Sequence, residues 1–506
     1  MCDFSTMEGL TRGCVAVYNV PPRCGHGGRC TDTGGTRMHI AWSKPLFAWD
    51  ALEDSPTLQT LRKALRCVPD AKLLAALRAH RGRGRNKYPV RVLWGVVLLR
   101  VLCRHVSWEA VLDDLHRNPA LRALLGVESE DDVPKKWNVS RFLTVLGTEP
   151  HLSLLHEVFN TMVERLARAV EDLGEHVAGD ATALSARPAR GKGANPDALP
   201  EPAGGRKEYT DEEGKVTQVV EWFGYKLQLL VDARHEVALA YQVTSTKTGD
   251  NEPIEGLTDA ALANLGTPHR EPGACEEGED DDEPPPPRIK TLTYDPAADD
   301  NKTHELLAER GIKPVIRVRS LWKGEHERML PGHDGRSNVV YDEAGTVYCY
   351  DVVSDPPVRR RMAYIGYEPA RGTIKYRCPA RHEGWTCPSD QRCNEGRSYG
   401  KTVRVPCEID LRRFPPLPRA TKKFERLYRG RSAVERVNGR LKIFWGVDDG
   451  NITGAARFHA HVGVVMVGHL ALATVLASVP RRAGTLGTTR LAHVTDALRA
   501  ALDGED

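Results

Sequence analysis

The sequence predicts an α/β protein, with a mixed-sheet core interrupted by a β-rich insertion and preceded by an all-helical domain. Three observations carry that reading. Apolar residues recur at helical spacing from about Thr57 to Gly147. Short strand-like segments alternating with helices begin at His176. An irregular stretch, Ser320–Pro418, then precedes a final helical segment, Lys422–Leu476.

Residues 1–45, rich in Gly, Cys and Thr, show little periodicity and are predicted to be disordered or to precede a true start at Met38. Leu58–Val68 and Ala71–Ala79 are amphipathic, Tyr88-Pro89 opens an apolar helix through Leu102, Ser107 suits the N-cap of Trp108–His116, and Ser140 is expected to cap a further short helix. Arg81–Arg85 is a basic linker in this bundle. A long helix near His151–Leu173 follows. The period then changes. His176–Ala181, Glu221–Val231 and Glu236–Thr244 read as strands, the last two joined by a turn at Asp232–His235. Ile254–Leu265 is helical, Ile289–Tyr294 a strand, Lys302–Arg310 a helix closed by Gly311, and Ile312–Val318 a strand. Thr267–Pro287, acidic and then proline-rich, cannot bury apolar surface and reads as a linker. The expected divisions are 1–45, a helical domain 46–150 that is small and basic as DNA-binding modules are, the first part of the core 151–319 with its linker 267–287, the insertion 320–418, core helices 419–480, and a tail 481–506.

A net charge of +3 argues neither for nor against nucleic acid, but its distribution does. Arg62–Arg104 carries twelve Lys/Arg against Asp70 alone, and Lys401–Lys442 carries thirteen against four acids. Two basic blocks far apart suit a protein that meets a phosphate backbone in more than one place. Twelve cysteines at irregular spacing and no apolar leader point to a reduced, cytoplasmic setting. The apolar stretch His461–Val479 carries two histidines and reads as a buried core helix, so no membrane partner is expected.

The strongest local signal follows Pro418. Tyr428, Arg431, Glu435 and Lys442 lie 3, 7 and 14 residues from the first. On one helix at roughly 100° per residue they share an arc of about 60°, opposite Ala433, Val434, Val437, Leu441 and Phe444. Spacing alone equally allows an ordinary solvated face. The pattern Tyr428-x2-Arg431-x3-Glu435-x6-Lys442 resembles the signature of bacterial insertion-sequence DDE transposases, whose catalytic core is RNase H-like. Two upstream segments resemble the same family: Val177-Ala-Gly-Asp180-Ala-Thr182, and Leu292-Thr-Tyr-Asp295 with Gly311-Ile-Lys-Pro-Val-Ile316 beyond it. Gly224–Asp232 is similar to its second strand. After Asp295 this chain has Pro296-Ala-Ala where the family carries a Lys-Gly-Tyr-like tripeptide; Asp299 is the alternative ligand, or Asp299 or Asp300 caps the next helix.

The resemblance implies that Asp180, Asp295 and Glu435 are the catalytic carboxylates and hold two Mg²⁺ (or Mn²⁺) ions per active site. Hard divalent cations take carboxylate oxygens, and a pair of them stabilises both the attacking and leaving oxygens of a phosphodiester. It also implies that Tyr428, Arg431 and Lys442 contact DNA phosphates, that the partners are transposon terminal inverted repeats and target DNA, and that a homodimer on paired ends works in the bacterial cytoplasm on the nucleoid.

Other features are weaker. Cys378, His382, Cys387, Cys393 and Cys407 gather in the insertion, with eight, five and thirteen residues between successive cysteines. Ordinary thiols are the expectation and a structural Zn²⁺ the alternative, since closely paired ligands are absent; Cys24 and Cys30 are weaker still. Trp385 is expected to be buried, with stacking on an unpaired base as the alternative. Asp250 could assist a metal. His459, His461 and His469 read as core and surface residues. The rival functions are a structure-directed nuclease, a DNA-binding protein without catalysis, and a zinc-dependent adaptor.

Overall fold

A computed structural model describes residues 55–83, 87–187, 199–210, 215–266, 288–319, 321–323, 326–331, 338–449, 452–479, 484–487 and 491–503. The expected disordered start, the linker 267–287 and residues 84–85 of the basic Arg81–Arg85 segment lie outside the described residues.

Seven helices come first among the described residues: α1 (Pro56–Cys67), α2 (Ala71–Arg81), α3 (Val90–Leu102), α4 (Trp108–Arg117), α5 (Pro119–Leu125), α6 (Lys136–Leu146) and α7 (His151–Ala169). Their starts follow capping chemistry. Ser55 accepts from Leu58 N, Ser107 from Ala110 N, and Asn118 from Leu121 N, each satisfying a first-turn amide with no helical acceptor. Ser140 departs from expectation. It lies inside α6, where Asn138 Oδ1 instead accepts from Lys135 N at the start, and the Ser140 hydroxyl accepts from Arg457 at 3.0 Å.

The sheet follows, with β1 (His176–Ser185), β2 (Ala203–Thr210), β3 (Val216–Asp232), β4 (Ala238–Ser245), then α8 (Ile254–Leu265), β5 (Thr291–Tyr294), α9 (Asn301–Glu309) and β6 (Lys313–Ile316). The order is β2-β3-β1-β5-β6, with β4 also on β3. β3 runs antiparallel to β1, β2 and β4; β5 is parallel to β1, and β6 to β5. This is the succession of strands and helices read in the sequence, with β2 added. Ala203–Thr210 lacks apolar alternation, because its pairing with the outer, exposed half of β3 buries little.

The stretch after β6 is β-rich, as expected. β7 (Arg328–Met329), β8 (Val339–Tyr341), β9 (Val347–Asp351) and β10 (Val358–Arg361) form one antiparallel sheet. β11 (Ala363–Glu368), β12 (Thr373–Arg377) and β13 (Thr402–Pro406) form another, with the short helices α10 (Pro379–Glu383) and α11 (Asp390–Asn394) between β12 and β13. These strands enclose a core of their own around Leu330, Val347, Ile374, Val405 and Phe414. The chain returns through α12 (Lys422–Tyr428), α13 (Ser432–Ile443), α14 (Ala455–Ala477) and α15 (Leu491–Asp503).

Residues 55–150 do not pack apart from the sheet. α14 is the reason: it lies against α1, α3, α6, α7, α15 and β4, and one apolar core joins all of them to the sheet. It is long and apolar enough to cross a membrane, yet 89% of its most apolar window is buried within the protein. Each of its fully buried Val and Leu side chains contributes about 1.5–3 kcal/mol. His459, His461 and His469 are all buried, so none is a surface histidine. Burial, with Arg100 nearby, lowers His461 to about 3; His461 faces Arg100 at 3.3 Å and the Gly446 carbonyl at 2.8 Å.

A buried ionic cluster fixes the return of the chain. The Asp299 side chain is fully buried, and one of its oxygens accepts from Arg419 (2.9 Å) and His304 (3.0 Å), the other from Arg412 Nε (2.9 Å) and the Arg319 amide (2.8 Å). Burial alone would raise this carboxyl; the His304 hydrogen bond, Arg419, the Arg319 amide and Arg412 outweigh it and hold it near 2. Asp299 is therefore a structural anchor and not an alternative metal ligand. Asp300 takes the capping role, accepting from Thr303 N at 2.8 Å. An acid held below its unfolded value near 4 stabilises the fold above that pH and loses the contribution as pH falls toward 2. Asp299→Asn is expected to cost about 3–5 kcal/mol in urea unfolding at pH 7, and to remove part of the acid sensitivity between pH 4 and 2. Wild-type stability in this variant would show that the cluster does not hold the fold.

Candidate active site

Asp180 and Asp295 are brought together by strand register. β1 and β5 are parallel neighbours with Ala178 opposite Thr293, so two residues further on Asp180 stands beside Asp295 at the end of β5. Alternation along the strands puts Gly179 and Tyr294 on the opposite face. A Cβ at residue 179 would lie 2.1 Å from the buried Tyr294 ring, so only glycine lets that ring pack there. Burial raises Asp180 to about 6, and the charge of Asp295 adds to the rise; the Ala181 amide, Lys207 and Arg431 oppose it.

Pro296-Ala-Ala does not displace Asp295. These residues form a single 3-10 turn with proline at its start, and Asp295 caps it, accepting from Ala297 N at 3.1 Å. Asn251, in the loop after β4, holds that turn by donating to the Ala297 carbonyl (3.0 Å) and to Asp300 (2.6 Å). Asp250 beside it pairs with Lys226 at 2.8 Å.

Glu435 lies in the first turn of α13, which packs on β1 and β3. Its side chain is half exposed and is paired with Arg431 at 2.7 Å. The four-residue stripe does not sit on one continuous helix. Arg429–Arg431 tighten into a 3-10 turn between α12 and α13, centred on Gly430, a poor helix former. The turn itself touches β1 and β5. Tyr428 stacks on Phe424 (centroids 5.9 Å apart, planes 9° apart), with the Arg317 guanidinium 4.3 Å from its ring centre. Burial raises its phenol above the ordinary value, against the pull of Arg431 and Arg317. Lys442 is half-buried in the last turn of α13; burial lowers its pKa, opposed by Asp448 and Asp180.

The site is thus a patch of carboxylates ringed by cations. Asp180 feels Asp295, Lys207, Arg431 and Lys442, and Arg431 links that group to Glu435. Two clamps hold α13 over it. Glu236, in the β3–β4 turn, pairs with Arg436 (2.6 Å) and Arg440. Arg100 of α3 pairs with Asp449 beyond α13 and lies 4.5 Å from the Trp108 ring centre. Lys207, Asn251, Glu236 and Asp448 carried no motif; only tertiary packing reveals them. Asp448 accepts from the Ser185 amide, and burial raises its pKa.

Among the described residues no three His, Cys, Asp or Glu side chains are already gathered as a metal ligand set. Glu435 is held by Arg431 and Asp295 by its own turn. The donors nonetheless suit a hard divalent cation: Asp180 and Asp295 are crowded enough that one raises the other, a surplus of negative charge that a cation relieves. In the insertion, Trp385 is half-buried, with Arg360 4.6 Å from its ring centre and its Nε1 donating to Glu383.

Comparison with known families matches residues 172–469, more than half of the chain, to a model described as "Transposase DDE domain". Residues 50–144 match one described as "Transposase domain (DUF772)". No curated protein matches. Among solved structures, a cryo-EM structure of a piggyBac transposase synaptic complex with hairpin DNA is similar at 10% identity. That alignment covers 89% of this chain and 81% of that one at a TM-score of 0.34, too low for its arrangement to be carried over.

The raised Asp180 carboxyl has a sign that can be checked. An acid whose folded value lies above its unfolded one favours folding while protonated, and that contribution disappears as pH rises through about 6. In protein free of divalent metal, Asp180→Asn is expected to be more stable than wild type at pH 8 by about 1–3 kcal/mol, and no more stable at pH 4. Thermal unfolding at the two pH values reads this directly, and equal stability at pH 8 would count against the crowded pair.

Proposed function

The chain belongs to the DDE-domain transposase family, with its RNase H-like core, and from that premise we propose that this DNA transposase nicks DNA at inverted-repeat transposon ends and joins those ends to target DNA. The observation that supports this reading is the side-by-side register of Asp180 and Asp295, with the Glu435 helix packed on β1 and the 3-10 turn before it touching both β1 and β5. In the first step a water oxygen attacks phosphorus, the P–O3′ bond breaks, and the 3′-oxygen leaves and takes up a proton. In the second, that 3′-hydroxyl attacks a target phosphate and displaces the target's own 3′-oxygen.

Asp180, Asp295 and Glu435 are the groups that would hold two Mg²⁺ or Mn²⁺ ions. Bound there, the ions supply Lewis-acid stabilisation of the attacking and leaving oxygens. The protein's own part is positioning. Glu435 turns from Arg431 toward the strands, and the released guanidinium is then free to pair with a DNA phosphate. Lys442 offers a second cation beside Asp180, and Tyr428 a phenol hydroxyl. With its pKa raised by burial, that phenol suits a phosphate hydrogen bond better than nucleophilic attack. The basic α1–α3 region is the proposed reader of the repeats, and a homodimer is the proposed unit on paired ends.

The test is nicking of DNA that carries the repeats flanking the gene, with Mg²⁺ or Mn²⁺ supplied. Glu435→Gln is expected to abolish cleavage, by more than about 100-fold, as removal of a direct ligand should, while binding to the repeats persists. Tyr428→Phe is expected to slow cleavage by no more than about tenfold, the worth of one hydrogen bond; complete loss would point to Tyr428 as a nucleophile. Wild-type binding without cleavage would overturn the enzyme in favour of a DNA-binding protein. Cleavage without any joining would favour a structure-directed nuclease.

A further inference from the structure

The insertion carries a second cluster of chemistry-bearing residues, independent of the carboxylates. Cys349, Cys378, Cys387 and Cys393 line one small cavity of about 20 Å³, room for a single ion or water. Cys349 comes from β9 in one small sheet, with 28 residues between it and Cys378. The other three come from the β12–β13 connection of the other sheet. Two members of the set suggested by spacing drop out. His382 is exposed, and Cys407 is buried in the insertion's apolar core. Cys349 takes their place, and only the packing of the two sheets could reveal it.

We propose that these four cysteines bind one structural Zn²⁺ that staples the two sheets of the insertion together. Four thiolates with no open position are the ligand set of a closed structural zinc site. The surroundings are built for sulfur carrying negative charge. Asn394 Nδ2 donates to Cys378 Sγ at 3.5 Å, and Asn338 Nδ2 to Cys393 Sγ at 3.8 Å. Both amides are fixed by Lys401, through its ammonium to Asn338 (2.9 Å) and its backbone amide to Asn394 (2.6 Å). Such outer hydrogen bonds orient ligands and tune a metal site. Arg360 also lines the cavity, and its buried Nε has no hydrogen-bond partner. With Lys401 it offsets the net negative charge of a zinc tetrathiolate.

The acids nearby are otherwise engaged. Asp351 accepts from Ser389 (2.6 Å) and Ser354 (2.7 Å), and Asp390 pairs with Arg381. The thiols are free. Burial, then the charges of Cys378, Cys387 and Cys393, push the Cys349 thiol up to about 12. The sulfurs line the cavity without yet being gathered as a ligand set, and closing on an ion takes side-chain rotation. The need for a staple is physical. The insertion's own apolar core is small, and small cores are commonly completed by metals or disulfides.

The experiment uses the full chain as purified from zinc-supplemented medium, without a chelator. Elemental analysis is expected to give one zinc per chain, and X-ray absorption at the zinc edge a shell of four sulfurs at about 2.3 Å. Both readouts are made on wild type, so misfolding of a variant cannot decide the matter. Cys349→Ser is then expected to lose the zinc and Cys407→Ala to keep it. Absence of zinc, a shell of nitrogen or oxygen, or iron in its place would overturn the proposal. So would zinc retained in Cys349→Ser. The result stands apart from DNA cleavage, because the catalytic ions would have oxygen ligands.

Discussion

The fold around the site depends on the buried carboxylate of Asp299. It lies four residues beyond Asp295 and grips the chain where it leaves the sheet, at the Arg319 amide, and where it returns, at Arg412 and Arg419. Arg419 also donates to the carbonyl of Ile316 at the end of β6 (2.8 Å) and to that of Arg412 (2.6 Å). One side chain thereby closes the mouth of the insertion and sets the start of α12. His304 completes the cluster as a neutral donor, since burial lowers its pKa. An uncompensated carboxylate at this depth would be prohibitively costly, and Asp299 persists as an anion because two guanidiniums and two further donors share it.

The electrostatics of the site follow from the same economy of partners. Asp180 and Asp295 cannot avoid each other, because parallel pairing of β1 with β5 fixes their spacing. Their repulsion is balanced by side chains from three directions: Lys207 from β2, Arg431 from the 3-10 turn, and Lys442 from the end of α13. Arg431 has two carboxylate neighbours, Asp180 and Glu435. In the proposed reaction the acids would hold metal ions in place of Arg431, whose charge would then be available to phosphate. On that proposal the ion pair is a resting arrangement of groups whose working partners would be a cation and DNA.

Much of this was legible in the sequence, for identifiable reasons. β1, β3, β4, α8, β5, α9 and β6 announce themselves through period and caps, with Asp300 and Gly311 bounding α9. The motif residues were legible because spacing along a chain survives folding. The single helix drawn through Tyr428 and Lys442 was not, since Gly430 allows a 3-10 turn that sequence periodicity does not resolve. Glu236, Asn251, Lys207 and Cys349 were illegible for another reason. Each acts on residues distant in sequence, and nothing local distinguishes Glu236 from any turn acid until Arg436 and Arg440 arrive beside it. Asp299 looked like a spare ligand because its three charged or polar partners, His304, Arg412 and Arg419, are gathered only in the folded chain.

The insertion raises a question of cost: Glu435 must reach the sheet across the long excursion from Arg319 to Arg412. Closure entropy grows only with the logarithm of loop length, so a tenfold longer connection costs about 2 kcal/mol more. A buried charge cluster such as that around Asp299 can offset that amount if the excursion's two ends meet on it. Length is therefore a small obstacle, and geometry is the real one, since in the proposed site a carboxylate that would share cations with two others tolerates little displacement. That explains why α13 is clamped beyond its attachment at Arg419. Glu236 holds its middle through Arg436 and Arg440, while Arg104 and Arg100 of the helical region hold its C-terminal end, through the Phe444 carbonyl and Asp449. The sheet fixes two acids by register alone. The third acid, delivered from a distant segment, is fixed by ion pairs contributed from the turn, the insertion's ends and the first helices.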